Sequence, residues 1–380
     1  MDLVAGRIWS DERRPIRHVD WVLLFLTLGL VVLGLFLLYS ATNQTLRQDG
    51  LDPFERVKKQ AFAAVIGMVL VLVIAAFDYR FFKVYAGFLY GGTCLLTALL
   101  LIPGVASPTG AYIDIPGVNL LQITPPEFVK IGLLVMIAAL LSELRTPRPE
   151  LRDVIRVVLV ALLPIALVLV KVEIGTAIVL VAITVAVLVV AGASAKHLGA
   201  LAAISLVLIV LAFQAHVIQD YQLDRLSAWL DTENVAEDVR YNLDQSLIAV
   251  GSGGLFGKGY LAGTQTNLDY VPEQHTDFIF TVVGEEFGFF GAILVLALFG
   301  VLLWRAIRIA YLSKDPFGTY VASGIAAMFA IQMFVNVGMV IGIMPITGLP
   351  LPFLSYGGSS MLITFIAVGM LESIHMRRFK

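Results

Sequence analysis

The chain has 380 residues, of which 59% are hydrophobic and only 14% charged, and its mean hydropathy is +0.89. So apolar a composition excludes a soluble globular domain and leaves a polytopic membrane protein. The net charge of -2 says nothing about partners here, and no nucleic-acid partner is expected.

About 20 apolar residues are needed to cross a bilayer, and ten such spans are predicted: 20–40, 59–77, 84–103, 126–144, 154–171, 174–193, 198–217, 278–304, 318–343 and 358–375. The expected fold is therefore an all-α polytopic membrane protein of ten transmembrane helices, one membrane domain over 1–380. With the N-terminus inside, inner segments carry sixteen lysines and arginines and outer ones eight, which puts both termini in the cytoplasm. The first span is too long for a cleavable signal and reads as a retained helix. Cys94, the only cysteine, lies in the third span, so neither an intramolecular disulfide nor a cysteine metal site can form.

The connection 104–124 is proline-rich at its ends and opens the fourth span with Pro126-Glu-Phe-Val-Lys130. Proline suits a first helical turn, and the spacing puts Glu127 about one turn from Lys130 at the outer end of that helix. The pair is either a self-satisfied ion pair that neutralises an awkward lysine or part of a site.

The longest outer connection, about 218–277, holds ten acidic residues against Arg225, Arg240 and Lys258. It has too many apolar residues for a linker, so it is expected to fold on the membrane face, with a short helix at Asp244–Val250 running into the glycine-rich 251–260. A phosphate-binding loop is excluded there, because the positions that need glycine before Lys258 and Ser or Thr after it are Ser252 and Gly259. The glycines serve a tight turn, a close approach to a ligand, or plain flexibility.

The polar run Glu273-Gln-His-Thr-Asp277 leads straight into the eighth span. Asp277 sits where water meets membrane, beside His275 and a second carboxylate, which marks it as a functional candidate. Asp is equally a favoured N-cap. At about 100° per residue, Thr281, Gly284 and Gly288 would share its helix face, with Glu286 opposite. Gly284-Glu-Glu-Phe-Gly288 is a small-residue pattern for close helix packing. Glu285 and Glu286 are expected to be buried hydrogen-bonding groups rather than catalysts.

The segments Asp244-Gln-Ser-Leu-Ile-Ala-Val-Gly-Ser-Gly-Gly-Leu-Phe-Gly-Lys-Gly259, Pro272-Glu-Gln-His-Thr-Asp-Phe-Ile-Phe280 with Gly284-Glu-Glu-Phe-Gly288, and Leu351-Pro-Phe-Leu-Ser-Tyr-Gly-Gly-Ser-Ser360 resemble the signatures of the SEDS family, named for shape, elongation, division and sporulation. Gln274 and Gly263-Thr-Gln-Thr266 favour its elongation branch over its division branch. The resemblance implies a peptidoglycan glycosyltransferase that polymerises lipid II on the outer face of the bacterial cytoplasmic membrane. It implies a class B penicillin-binding protein, a transpeptidase, as partner, within the elongation machinery.

Carried over residue by residue, the family's essential aspartate falls on Asp277 and its Glu-x-x-Lys pair on Glu127 and Lys130. Inverting transfer needs a base for the acceptor hydroxyl, the role expected of Asp277. The departing pyrophosphate needs cationic stabilisation, expected from Lys130 with Lys59, Arg225 or a divalent cation, magnesium or manganese; no organic cofactor is expected. Glu173, His275, Lys258, Ser355 and Ser359 complete the expected substrate-binding set. The family's Gly-Ala-x-Arg-Trp is Gly110-Ala-Tyr-Ile-Asp114 here, so one arginine is missing, while Glu173-Ile-Gly-Thr and Lys59-Gln60 keep the charge sign of their family counterparts. A flippase of the same precursor and a non-catalytic scaffold are the competing readings. The polar residues gather at the outer end with no internal repeat, which is unlike a transporter.

Overall fold

The computed structural model describes residues 18–102, 123–144, 146, 148–170, 173–203 and 237–379. Its regular structure is helical: α1 (Trp21–Gln48), α2 (Glu55–Ala76), α3 (Ala86–Leu99), α4 (Pro125–Ser142), α5 (Leu151–Val170), α6 (Ile174–Val190), α7 (Glu237–Ser252), α8 (Ile279–Leu312), α9 (Pro316–Val340) and α10 (Gly358–Met376). Seven of these, α1, α2, α4, α5, α8, α9 and α10, are long and apolar enough to cross a membrane, and α3 and α6 are shorter apolar helices. The chain is a multi-pass membrane protein. Only the start of the predicted seventh span is described, as helix over 195–203.

Local chemistry sets the helix starts. Asp20 caps α1 by accepting from the Leu23 N–H (3.1 Å), and Asp315 caps α9 by accepting from Gly318 (2.9 Å) with Pro316 in the first turn. Pro125 and Pro126 open α4 in the same way. The central helices α4, α9 and α10 are largely enclosed, whereas α1, α2, α5 and α8 expose apolar faces such as Phe25, Val65, Leu159 and Leu294. In lipid such faces need no cover. α2 lies along α10, α3 along α4, and α9 packs against α4, α6 and α8.

Between α9 and α10 the chain runs without regular structure, yet Leu349 and Leu351 to Ser355 are buried. Gly34 of α1 lets this segment in: a Cβ there would lie 2.4 Å from the Phe353 carbonyl oxygen. Buried irregular backbone needs polar partners. Gln60 supplies two, donating to the Ser355 carbonyl (3.0 Å) and accepting from Gly357 N–H (3.1 Å).

The eighth helix departs from the expected regular helix. It begins at Ile279, passes through a π-turn at Val283–Phe287 and restarts at Gly288, whose φ is 65°. Counting faces at a fixed angle therefore fails beyond Val282, and Gly284 and Gly288 do not form a helix-crossing face. They receive the glycine-rich loop instead: Lys258 and Gly259 N–H groups donate to the Glu285 and Glu286 carbonyls (3.0 Å each), and Phe289 N–H donates to the Gly254 carbonyl (2.9 Å). Cβ atoms at Gly253, Gly257 or Gly288 would lie within 2.3 Å of that opposing backbone. Close approach within the chain is thus what these glycines serve. Gly318 and Gly324 of α9 are likewise filled from inside the bundle, by Ser313 and Tyr79 and by Leu134 and Val187.

Candidate active site

At the outer end of α4, Lys130 is fully enclosed and its Nζ lies 2.7 Å from Glu127 Oε1. Glu127 is also buried, and among the described residues its Oε2 has no hydrogen-bond partner. Glu173, just before α6, accepts from Thr176 Oγ1 (3.2 Å). Burial, with the Glu127 carboxylate nearby, pushes the Glu173 pKa up to about 7 against the pull of Lys130. Two carboxylates therefore share one enclosed ammonium. Ser359, at the start of α10, accepts from Thr124 N–H (2.9 Å) and so ties α10 to the entry of α4.

Asp277 is half-buried and precedes the α8 N-cap, which is Phe278 and makes no side-chain cap bond. Its approach is a tight turn in which the Glu273 carbonyl accepts from Thr276 (3.2 Å) and Asp277 (3.1 Å), with Glu273 itself at φ 49°. Such a conformation is costly for a non-glycine residue and holds the aspartate at a set place. Asn336, fully buried in α9, donates to the Asp277 carbonyl and to the Leu349 carbonyl, both at 2.7 Å. The carboxylate rests against Gly348, where a Cβ would lie 3.2 Å from Oδ2.

The Thr347–Leu349 segment joins the two halves. A Cβ at Gly175, two residues after Glu173, would lie 2.8 Å from the Thr347 carbonyl oxygen and 2.6 Å from Leu349. Asp277 and Gly175, two residues after Glu173, thus both pack on one connection.

A second group surrounds Tyr356, whose N–H donates to the His275 carbonyl (2.9 Å) and whose ring lies 5.7 Å from the imidazole. Burial, with Arg56 nearby, lowers the His275 pKa to about 4, so it offers hydrogen bonds and no charge at neutral pH. Lys59 pairs with Glu55 (2.8 Å) and is partly exposed. Ser355 is turned inward, its Oγ accepting from Leu351 N–H (2.8 Å).

The remaining candidates lie apart. Lys258, expected among the substrate ligands, donates to Glu285 (2.8 Å) and Thr264 (2.7 Å), so its charge is used within the loop. Glu285 is fully buried and also accepts from the Gln265 and Thr266 N–H groups (2.9 and 3.0 Å), a structural anchor in line with the sequence. Arg225 and the 110–114 segment lie outside the described residues. Two residues were missed. Asn336 has a signal, a lone amide in an apolar span, and Arg56 has only its position beside Lys59.

No set of three or more His, Cys, Asp or Glu side chains among the described residues is arranged to hold a metal. The carboxylates of Glu127 and Glu173 are hard oxygen donors, and the Glu127 one is bonded to Lys130.

Comparison with known proteins agrees with this geometry. The cell cycle protein family of FtsW, RodA and SpoVE matches residues 20–380. A probable peptidoglycan glycosyltransferase FtsW of Geobacter metallireducens is 33% identical over 371 residues, covering 96% of both chains. Among solved structures, one chain of a peptidoglycan synthase complex, solved to show the coordination of polymerization and crosslinking, superposes with a TM-score of 0.80 at 29% identity, covering 95% of this chain and 99% of that one. The rod shape determining protein RodA of Thermus thermophilus superposes with a TM-score of 0.68 at 30% identity, covering 95% and 98%. The chain therefore belongs to the FtsW, RodA and SpoVE family of cell cycle proteins, the SEDS peptidoglycan glycosyltransferases.

Proposed function

We propose that this protein polymerises lipid II into glycan strands at the extracytoplasmic face of the bacterial cytoplasmic membrane, with inversion at the donor anomeric carbon. The observation that carries the reading is the enclosed Lys130, held by Glu127 and facing the field of Glu173, with Gly175, two residues after Glu173, on the same connection as Asp277. Asp277 takes the proton of the acceptor hydroxyl as that oxygen attacks. Lys130 stabilises the charge that builds on the departing pyrophosphate, and the low-dielectric setting strengthens that effect. Glu127 positions Lys130. Arg56 and Lys59, around Tyr356, are the described cations nearest the His275 turn and stand in for the arginine missing at 110–114.

The role in growth is elongation. It rests on Gln274, which is buried and donates to Thr266 (3.1 Å) and Thr281 (2.9 Å), tying the family's elongation-type segments to α8. The likeness to a chain from a synthase complex supports a class B penicillin-binding protein as partner. Its helix would lie along the apolar outer face of α8, where Phe289, Phe290, Ile293 and Leu294 are exposed, and Phe334 of α9.

The deciding experiment supplies purified protein with lipid II and resolves the products by length. Polymer from the protein alone supports the reading. Transport of the lipid into sealed vesicles without polymer would replace it with a flippase. Rescue of rod shape, rather than of septation, in a depleted cell separates elongation from division.

A further inference from the structure

At the end of the bundle opposite Asp277 lies a cavity of about 420 Å³ lined by Arg305, Arg308, Leu312, His375, Arg378 and Phe379. Arg305 lies in the same helical segment as Asp277, 28 residues along; at about 1.5 Å per residue, that is roughly 40 Å away. This cavity takes no part in the chemistry above.

Its charge is unbalanced. Arg305 is buried and bonded to Asp20, with Nε at 2.8 Å from Oδ2, and that carboxylate also caps α1. Glu372 is buried one turn before the α10 end and accepts from the Asp20 N–H (3.1 Å). Neither carboxylate is bonded to the other two guanidinium groups: among the described residues Arg308 and Arg378 make no salt bridge. Arg308 lies over the Trp304 ring (5.4 Å), and Arg378 is held against the His375 ring (2.7 Å from Nη1 to Nδ1). Burial, with Arg305 and Arg308 close by, lowers the Arg378 pKa against the pull of Asp20, though an arginine remains charged. Three guanidinium groups from two helix ends thus converge on one hollow with a single carboxylate bonded among them.

The rim says what kind of anion could reach it. Leu312 and Phe379 of the lining are exposed, as is Trp304 beneath Arg305 and Arg308, and Tyr311 is exposed on the same helix; Trp and Tyr at a helix end mark the headgroup level of a bilayer. A group bound here would have its charge in the guanidinium hollow and its apolar part against these side chains.

We propose that this cavity is a binding site for a phosphodiester anion, supplied by the headgroup of an anionic phospholipid in the leaflet opposite the active site. Arginine forks match phosphate oxygens bidentately, and a phosphodiester would supply a bonded anion that Arg308 and Arg378 do not have among the described residues.

The test uses the full-length protein purified in detergent. Its melting temperature is followed as phosphatidylglycerol or phosphatidylcholine is added, and retained lipid is counted by native mass spectrometry. Phosphatidylglycerol should raise the melting temperature and remain bound, and phosphatidylcholine should do neither. The double variant Arg308→Gln/Arg378→Gln should weaken the half-saturating concentration by about tenfold or more. Arg308→Gln alone, at an exposed position, should give a partial loss and guards against misfolding of the double variant. Arg152→Gln, an exposed arginine on α5 away from the cavity, should leave the response unchanged. If inorganic phosphate at matched ionic strength reproduces the shift in wild type and not in the double variant, the same site takes free phosphate. Equal responses of wild type and both cavity variants to phosphatidylglycerol would overturn the proposal, as would retention of no more phosphatidylglycerol than phosphatidylcholine by wild type.

Discussion

Lys130 Nζ lies 2.7 Å from Glu127 Oε1, with the lysine wholly enclosed and the second oxygen of that carboxylate left without a hydrogen bond among the described residues. A buried pair kept for stability alone would have both oxygens satisfied. That second oxygen is itself covered, so what the pair offers a substrate is the charge of Lys130 rather than a free acceptor. Lys130→Met should therefore abolish polymerisation and, by stranding Glu127, destabilise the protein by about 3–5 kcal/mol. Glu127→Gln with Lys130→Met should recover melting temperature without recovering turnover. Polymer formation by the double variant would reduce the pair to a structural one.

Asp277→Asn should lower polymerisation by about 10²-fold to 10⁴-fold, the range of a general base. The main-chain bond from Asn336 to the Asp277 carbonyl does not involve the altered group, and an amide keeps the shape and much of the hydrogen-bonding capacity of the carboxylate. Melting temperature and elution profile should accordingly stay close to wild type. Near-normal polymer yield from lipid II would remove Asp277 from the chemistry.

Glu173 adds a pH dependence. Its pKa of about 7 in the folded protein is above the ordinary value near 4.3 of an unfolded chain, so the folded state prefers the protonated form. That preference contributes stability in full below about pH 4.3, and the contribution is lost as pH rises through about 7, at most about 4 kcal/mol in all. Wild type should melt at progressively lower temperature from pH 5 to pH 8, and Glu173→Gln should flatten that slope. An unchanged slope in the variant would assign the dependence to other groups.

Gly257→Ala tests the docked loop. The new Cβ would lie 2.1 Å from the Glu286 carbonyl oxygen, and the residue sits at φ 79°, where side chains are strained. The loop should detach from the π-turn, with faster proteolysis around 253–260 and a loss of at least about 1–3 kcal/mol. Gly251→Ala, where nothing lies within 4 Å of the added Cβ, is the matched control.

Much of this was legible in the sequence because it depends on local rules. Apolar runs give the crossing helices, Pro125 and Pro126 mark the α4 start, and the three-residue spacing of Glu127 and Lys130 puts their side chains together. Asp277 stood out because a charge at an apolar boundary is costly. What was not legible depends on departures from regular geometry and on contacts distant in sequence. A face count assumes a constant turn per residue, which the π-turn at 283–287 violates. Nothing near Gly253 or Gly257 says that their partners are carbonyls about 30 residues later, and nothing near Gly175 or Gly348 says that one connection holds them both. Nothing near Gly318 or Gly324 of α9 says that their neighbours, Ser313, Tyr79, Leu134 and Val187, come from within the bundle.

The π-turn divides one membrane crossing into two independently phased pieces. Phe278–Val282 takes its heading from the loop clamped onto the Glu285 and Glu286 carbonyls, while Gly288–Leu312 takes its own from lipid and from α9. Loss of one residue near position 296 would rotate Arg305 by about 100° and raise it by about 1.5 Å, yet the heading of Asp277 would be untouched. The lower half of this helix is thereby free to drift in sequence and register without disturbing the chemistry at its top.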